Sequence, residues 1–129
     1  MLYSNILKLA ISEAKKSTLN PRIGAVIFKG KRVYGSGHND IRSSLISLKH
    51  KNWKESLHAE QSALLNLDWN KLKGTSILVY RVNKSGKIGM AKPCQMCRKL
   101  IEHVGIKNMY YTNQNGELCF ERIKNDKHL

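Results

Sequence analysis

The fold of this chain is decided by two short stretches, His58-Ala59-Glu60 near the middle and Pro93-Cys94-Gln95-Met96-Cys97 further along. Zinc prefers imidazole nitrogen and thiolate sulfur among protein ligands, and a site with three such ligands leaves a fourth position for water. His58, Cys94 and Cys97 are therefore candidate zinc ligands. Glu60 is close enough to His58 to take a proton from such a water without binding the ion itself.

Both stretches are predicted to begin helices. Pro93 suits a position at or just before the first turn, where its missing N–H is not needed. The two cysteines then share one face of a helix over 94–104, and the helix dipole is expected to lower the pKa of their thiols. The apolar spacing over 57–67 predicts the other helix, which His58 and Glu60 open and for which Ser56 is available as the N-cap.

The cysteine pair by itself is compatible with two further kinds of site. A Cys-x-x-Cys alone is also typical of a thioredoxin-like redox pair or of half a structural zinc site. A redox pair is expected just after an early strand, whereas this pair lies late in the chain. A structural site needs a fourth ligand, for which the sequence offers only Cys119 and scattered histidines, namely His38, His50, His103 and His128. The His-x-Glu followed by Pro-Cys-x-x-Cys instead matches the signature of zinc deaminases.

On these motifs the chain resembles, over nearly its whole length, the cytidine and deoxycytidylate deaminase superfamily, which also includes tRNA adenosine deaminases and polynucleotide cytosine deaminases. The resemblance implies a bound zinc ion and Glu60 as general acid and base. The zinc ligands that it implies are His58, Cys94 and Cys97. The substrate contacts that it implies are Asn39 and backbone groups of Ala59 and Pro93. The alternative for Asn39, which ends Gly35-Ser36-Gly37-His38-Asn39, is a turn residue in a glycine-rich loop.

Hydrophobic periodicity predicts the remaining elements. They are a helix over 4–17 that Asn20-Pro21 ends, a hairpin of strands over 23–29 and 32–36, a strand over 75–82, and a strand over 106–112 that follows Gly105. This alternation predicts an α/β fold with helices on both faces of a mixed sheet. With the resemblance, the expectation is a three-layer cytidine-deaminase-like fold with five strands, in which the N-termini of the two zinc-bearing helices meet.

The end of the sequence distinguishes branches of the superfamily. Asn115-Gly116 between two β-rich runs is a strong hairpin signal, so the run over 117–123 is predicted to return antiparallel to the previous strand. A parallel strand would need a crossover of a dozen or more residues, for which the sequence has no room. In the resemblance, an antiparallel fifth strand goes with cytidine-deaminase-like members, whereas tRNA adenosine and deoxycytidylate deaminases typically have a helix before it. Arg98-Lys99 also differs from the small residues usual in tRNA deaminases.

Length and composition fit one compact enzyme domain over residues 1–129. The chain is 41% hydrophobic and has no run of eighteen apolar residues, so no membrane span is expected. Its first residues lack the pattern of a secretory signal, and three cysteines suit a reducing compartment, so a cytoplasmic location is expected. Cys119 is expected to be a small buried apolar residue. A homo-oligomer is also expected.

Charge is the second unusual property. Lysine and arginine number 23 against 9 acidic residues, a net charge of +14, which favours phosphorylated or polyanionic partners. The basic clusters lie at 29–32, 49–54, 81–92 and 124–127. The cluster at 81–92 leads into the cysteine helix and is predicted to line the mouth of a pocket, with 41–56 and Trp53 as the other rim. The alternative is that these lysines only solvate the surface.

The sequence thus predicts a zinc-dependent hydrolase that deaminates the cytosine of a nucleoside or nucleotide, such as cytidine, deoxycytidine or deoxycytidylate, to uracil. The basic rim favours deoxycytidylate. The first alternative acts on cytosine or adenine in single-stranded DNA or RNA, including tRNA. The second is a non-catalytic, zinc-stabilised nucleic-acid-binding module, against which Glu60 argues because a structural site has no use for that carboxylate.

Overall fold

The computed structural model describes residues 2–40 and 57–124. Its elements, in chain order, are α1 (Ser4–Lys16), β1 (Arg22–Lys29), β2 (Arg32–His38), α2 (Ala59–Leu64), β3 (Ser76–Val82), α3 (Gln95–His103), β4 (Asn108–Thr112) and β5 (Leu118–Arg122). A short 3-10 helix, Trp69–Lys71, lies between α2 and β3. None of the helices in these two ranges is long and apolar enough to cross a membrane.

The five strands form one mixed sheet in the order β2-β1-β3-β4-β5. β3 and β4 are parallel, and every other pair of neighbours is antiparallel. β5 returns beside β4 with Phe120 opposite Tyr110, after a turn in which Gly116 has φ of 81°. Glycine takes this positive φ without steric cost, so the Asn-Gly turn and the antiparallel last strand are confirmed.

Helices cover the sheet on both faces, as predicted. Because successive side chains in a strand point to opposite faces, Val26 and Phe28 of β1 pack with α1 on one side. Ala25 and Ile27 pack on the other side with the cluster that includes residues of α2 and α3. The result is the expected three-layer fold, in which the two helices bearing the candidate zinc ligands share one face.

Glycines let the helices approach the sheet closely. A β-carbon on Gly24 of β1 would lie 2.2 Å from the Ala10 carbonyl oxygen of α1. A β-carbon on Gly37 of β2 would lie 2.6 Å from the Ala63 nitrogen of α2. These distances are too short for any real β-carbon, so glycine at each position sets how close its helix lies.

The α1 side of β2 carries a polar cluster. The buried Glu13 carboxylate accepts a hydrogen bond from Ser36 Oγ at 2.8 Å, lies 2.9 Å from His38 Nδ1 and pairs with Lys16 Nζ at 3.3 Å. Burial alone would raise the pKa of Glu13, but the contacts with His38, Ser36 and Lys16 lower it overall. This buried acid is thereby held as a carboxylate between α1 and β2.

Several predicted details are wrong. α2 is shorter than the predicted 57–67, because Leu57 pairs with Asp40 in an isolated bridge and Leu65 is already extended. The N-cap of α2 is His58, not Ser56, which lies outside the described residues. Cys119 is only half-buried because β5 is an edge strand with little cover. The single domain over 1–129 stays a prediction.

Candidate metal centre and pocket

The N-termini of α2 and α3 meet over one face of the sheet and bring the three predicted zinc ligands together. His58 is the N-cap of α2, Cys94 is the N-cap of α3, and Cys97 lies in the first turn of α3. His58 Nδ1 is 3.2 Å from Cys97 Sγ and 3.7 Å from Cys94 Sγ. All three ligand atoms lie within 4.8 Å of one another. Residues far apart in sequence thus form one compact donor set.

Helix capping fixes the orientation of these ligands. The His58 backbone N–H donates to Gln61 Oε1 at 2.9 Å, and the His58 carbonyl accepts from Ser62 N at 2.9 Å. The Cys94 carbonyl accepts from Arg98 N at 2.8 Å. Because both N-cap residues are tied into the first turns of their helices, their side chains project from ordered backbone toward each other.

The donor set fits zinc. One imidazole and two sulfurs are ligands that zinc prefers, and three protein ligands are typical of a catalytic site with one open position. Among residues 2–40 and 57–124, the group of histidine, cysteine or acidic side chains close enough to share an ion has these three members. It does not include the fourth protein ligand that a structural zinc site needs.

The expected lowering of both thiol pKa values is not what the structure gives for Cys97. Burial raises the pKa of this thiol, and the nearby Glu60 and Cys94 raise it further. Desolvation of the anion and repulsion by neighbouring acids outweigh the helix dipole at this position. The thiolate form of Cys97 therefore depends on a cation beside it, which a zinc ion would provide.

Glu60 lies in the first turn of α2, with only 5% of its surface exposed. Burial raises its pKa, although a backbone hydrogen bond and the proximity of His58 act in the opposite direction. A buried carboxyl with a raised pKa holds a proton more readily than one in water. Glu60 is thus placed, beside the donor set and on the pocket wall, to receive a proton and pass it on.

A cavity of about 280 Å³ opens beside the donor set. Its lining residues are Pro21, Ile23, Asn39, His58, Ala59, Glu60, Val79, Arg81, Met90, Ala91, Lys92 and Cys94. Of the predicted substrate contacts, Asn39 and Ala59 line this cavity, whereas Pro93 is buried and does not. Larger grooves of about 480 and 320 Å³ lie on α3 and beside the turn after β3, but the candidate ligands line neither.

Asn39 holds one end of the pocket in place. Its Oδ1 accepts from Ile23 N at 2.9 Å, and its Nδ2 donates to the Pro21 carbonyl at 2.9 Å. An amide side chain has a second N–H and a second lone pair on its oxygen. Asn39 therefore ties the end of β2 to the start of β1 and keeps capacity for one further donor and one further acceptor contact.

The predicted basic rim over 81–92 contributes two cations to the pocket wall. Arg81 Nη1 donates to the Met90 carbonyl at 3.2 Å, and Lys92 Nζ pairs with Glu121 at 3.4 Å. Lys84 and Lys87 are exposed on the turn and do not line this cavity. The other predicted rim, residues 41–56 with Trp53, lies outside the described residues.

The sequence reasoning missed the apolar wall of the pocket, which Pro21, Ile23 and Val79 form. Ile23 of β1 lies opposite Arg81 of β3 in the antiparallel register. The strand alternation would have placed these residues on the zinc side once the pairing of β1 with β3 was known. That pairing joins segments that are distant in sequence, and no local sequence motif predicts it.

Comparisons with known proteins agree with this site. A family profile described as the cytidine and deoxycytidylate deaminase zinc-binding region matches residues 2–113. The chain is similar to the cytidine deaminase from Burkholderia pseudomallei, with a TM-score of 0.65 and 17% identity over 95% of this chain and 93% of that one. No curated protein matches the sequence.

Two further solved structures share the fold. One is the cytidine deaminase from Mycobacterium leprae, with a TM-score of 0.59 and 21% identity over 93% of both chains. The other is the dCMP deaminase from the cyanophage S-TIM5 in apo form, with a TM-score of 0.59 and 21% identity over 84% of this chain and 80% of that one. These similarities concern the arrangement of the backbone.

Proposed function

Because the chain belongs to the cytidine and deoxycytidylate deaminase zinc-binding family, we propose that it is a hydrolytic deaminase acting on the cytosine of a nucleoside or nucleotide. The products are the corresponding uracil compound and ammonia. The observation that carries this proposal is the meeting of His58, Cys94 and Cys97 within 4.8 Å at a pocket that Glu60 also lines. A structural zinc site has no need of a pocket or of a buried carboxyl beside it.

His58, Cys94 and Cys97 would hold the ion, and the N-cap positions of His58 and Cys94 place these two residues at the wall of the cavity. Zinc bound there supplies Lewis acidity that makes water nucleophilic near neutral pH. Because the pKa of the Cys97 thiol is raised, this residue keeps its proton when no cation is bound. Binding of the ion therefore releases the proton of the thiol.

Glu60 would move the protons. Its carboxylate takes one proton from the attacking water and delivers it to the ring nitrogen beside the amino-bearing carbon. Once the C–O bond has formed, Glu60 takes the proton of the added hydroxyl and gives it to the amino group, so that the C–O bond becomes a carbonyl, the C–N bond breaks and ammonia leaves. The position of Glu60 suits this role, because its buried side chain lines the same cavity as His58 and Cys94.

The remaining polar groups of the pocket would position the substrate. Asn39 has one donor and one acceptor to spare, which suits a sugar hydroxyl or the polar edge of the base. Backbone groups of Ala59 would contact the base, and the same role for Pro93 stays a prediction. The apolar side chains of Ile23 and Val79 would pack against the ring.

Two observations bear on the substrate within this class. The Arg81 cation on the pocket wall favours a phosphorylated substrate such as deoxycytidylate, whereas Lys92 beside it is already paired with Glu121. The antiparallel β5 favours the cytidine-deaminase-like branch of the resemblance and speaks against both the tRNA adenosine and the deoxycytidylate branches. Nucleosides and mononucleotides are therefore the first candidate substrates. The net charge of +14 supports a second candidate, deamination of cytosine or adenine in single-stranded DNA or RNA.

The test is a deamination assay over cytidine, deoxycytidine, deoxycytidylate, free bases, adenosine and short single-stranded oligonucleotides, with zinc content measured on the same preparation. We expect turnover of at least one cytosine monomer and about one zinc per chain. Turnover of an oligonucleotide without any monomer would select the second candidate. A zinc-loaded protein that deaminates none of these substrates would contradict the proposal.

A further inference from the structure

The end of the sheet away from the pocket is strongly basic. Lys29 ends β1, Arg32 begins β2, and Lys73 and Lys107 precede β3 and β4. We define the basic end as these residues with two more cations, giving Lys29, Lys31, Arg32, Lys71, Lys73 and Lys107. All six side chains are exposed. The pocket lies at the opposite end, because it is lined by residues at the start of β1 and at the far ends of β2 and β3.

Backbone contacts hold part of this cluster together. Gly74 N donates to the Gly105 carbonyl at 2.9 Å, and Lys107 N donates to the Thr75 carbonyl at 2.7 Å, so the loops that carry Lys73 and Lys107 are bonded to each other. Lys29 Nζ lies beside the same loop, 4.0 Å from where Gly74 would carry a β-carbon. Three cations from three different segments thus converge on one surface.

Within residues 2–40 and 57–124, no acidic side chain forms an ion pair with the basic end. In the part of the chain that the structure describes, the ion pairs involve Lys16, His38, Lys92 and Arg98, and none includes a residue of the basic end. The nearby acid in sequence, Asp68, instead accepts from Asn70 N as the cap of the 3-10 helix. The pocket rim differs, since its Lys92 is already paired with Glu121.

Aromatic rings accompany the cations. Lys31 Nζ lies 5.2 Å from the centre of the Tyr3 ring, and the Arg32 guanidinium lies 5.2 Å from that of Tyr34. Trp69, in the 3-10 helix next to Lys71, is 42% exposed. Cations without an acidic partner among the described residues, together with the exposed ring of Trp69 on which a base can stack, are the combination that binds single-stranded nucleic acid.

We propose that the basic end binds single-stranded nucleic acid, away from the pocket. β3 has seven residues, and at about 3.3 Å per residue it separates the two ends by roughly 20 Å. Nucleotides held at the basic end are therefore not in the pocket. No residue of the basic end lines the pocket, so its cations can be replaced without changing the proposed deaminase site.

The test measures binding of a labelled oligothymidylate of about 20 nucleotides by fluorescence anisotropy as a function of salt. Six phosphate contacts at about −0.7 each predict a slope of log K against log salt near −4, or roughly 300-fold weaker binding between about 50 and 200 mM salt. The triple variant Lys29→Gln, Lys73→Gln, Lys107→Gln should halve this slope to about −2. Its zinc content and monomer deamination should match the unchanged protein.

A matched control removes the same charge elsewhere. The triple variant Lys15→Gln, Lys84→Gln, Lys87→Gln changes three exposed lysines outside the basic end and should leave the slope near that of the unchanged protein. An equal loss in both triples would show that net charge alone is responsible, and a larger loss in the control would place the strand outside the basic end. Either result overturns the proposal.

Two competitor ligands test the class of partner. An abasic strand of equal length should bind more weakly than oligothymidylate, because it offers phosphates without bases to stack on the rings. Vesicles containing anionic lipid should compete poorly with the oligonucleotide. Equal affinity for the abasic strand, or tighter binding to the vesicles, would refute recognition of single-stranded nucleic acid.

Discussion

Replacing Gly37 by alanine tests whether close packing of α2 on β2 sets the geometry of the zinc site. The added β-carbon would lie 2.4 Å from Ser62 Oγ, 2.6 Å from Ala63 N and 2.7 Å from the Ser62 carbonyl carbon. The serine hydroxyl can rotate away, but the two backbone atoms cannot. Moving Ala63 N to an ordinary contact near 3.4 Å requires about 0.8 Å of displacement of α2, and His58 and Glu60 move with that helix.

The expected magnitudes follow from this displacement. Overpacking of this kind costs about 1–3 kcal/mol, and the two backbone clashes place Gly37→Ala at the upper end. Alanine also lowers the conformational entropy of the unfolded chain, which stabilises the folded protein by about 0.4–1 kcal/mol. We expect a net loss of about 2 kcal/mol in the free energy of unfolding. A misplacement near 1 Å at a catalytic group reduces kcat by about 100-fold, and zinc affinity should fall as well.

Gly24→Ala is the matched control, because its β-carbon would clash with Ala10 O and Ala14 N of α1 on the other face of the sheet. Urea unfolding should show a comparable loss of stability for both variants. Zinc affinity and kcat per folded molecule should fall only for Gly37→Ala. The reasoning is refuted if Gly37→Ala keeps full zinc affinity and activity, or if both variants lose them equally.

Three further outcomes are expected. Glu60→Gln should keep its zinc and its unfolding midpoint but lose about 10²–10⁴ in kcat, and near-normal turnover would rule out its role in proton transfer. Cys97→Ser should lose zinc by metal analysis and show a lower Tm, whereas Cys119→Ser, which changes a cysteine outside the donor set, should not. Glu13→Gln should cost about 1–3 kcal/mol in urea unfolding at neutral pH. Since the pKa of Glu13 is lowered from 4.5 in the folded protein, its contribution is present above that value and is lost as the pH falls through the lower folded value. The difference between the two proteins should therefore shrink in acid, and a constant difference would contradict the assignment.

The sequence predicted those features that depend on local pattern. The Asn115-Gly116 turn requires a positive φ, which glycine takes readily, and the antiparallel β5 follows from it. The spacing of Cys94 and Cys97 at a helix start likewise needs no information from elsewhere in the chain. The meeting of the cysteines with His58 was predicted as well, because the motif pair has a known use in zinc deaminases.

Features that depend on tertiary contacts were not predictable in the same way. The apolar run over 57–67 suggested a long helix, but Leu57 is taken by a bridge to Asp40 and α2 ends at Leu64. Gly35 was predicted to lie in the strand over 32–36, but the close contact of Gly35 and Gly37 with α2 depends on how the helix lies on the sheet. The pKa of Cys97 depends on burial and on Glu60, neither of which the helix dipole argument contained.

Four successive residues of β2 contact α1 and α2 in turn, and these contacts limit which positions of the strand tolerate substitution. Gly35 and Gly37 lie against α2, while Ser36 and His38 contact Glu13 of α1. Random variation in this strand would therefore be discarded for misfolding before any gain in substrate range was seen. Laboratory evolution of new specificity should instead diversify Met90, which lines the cavity and is 39% exposed.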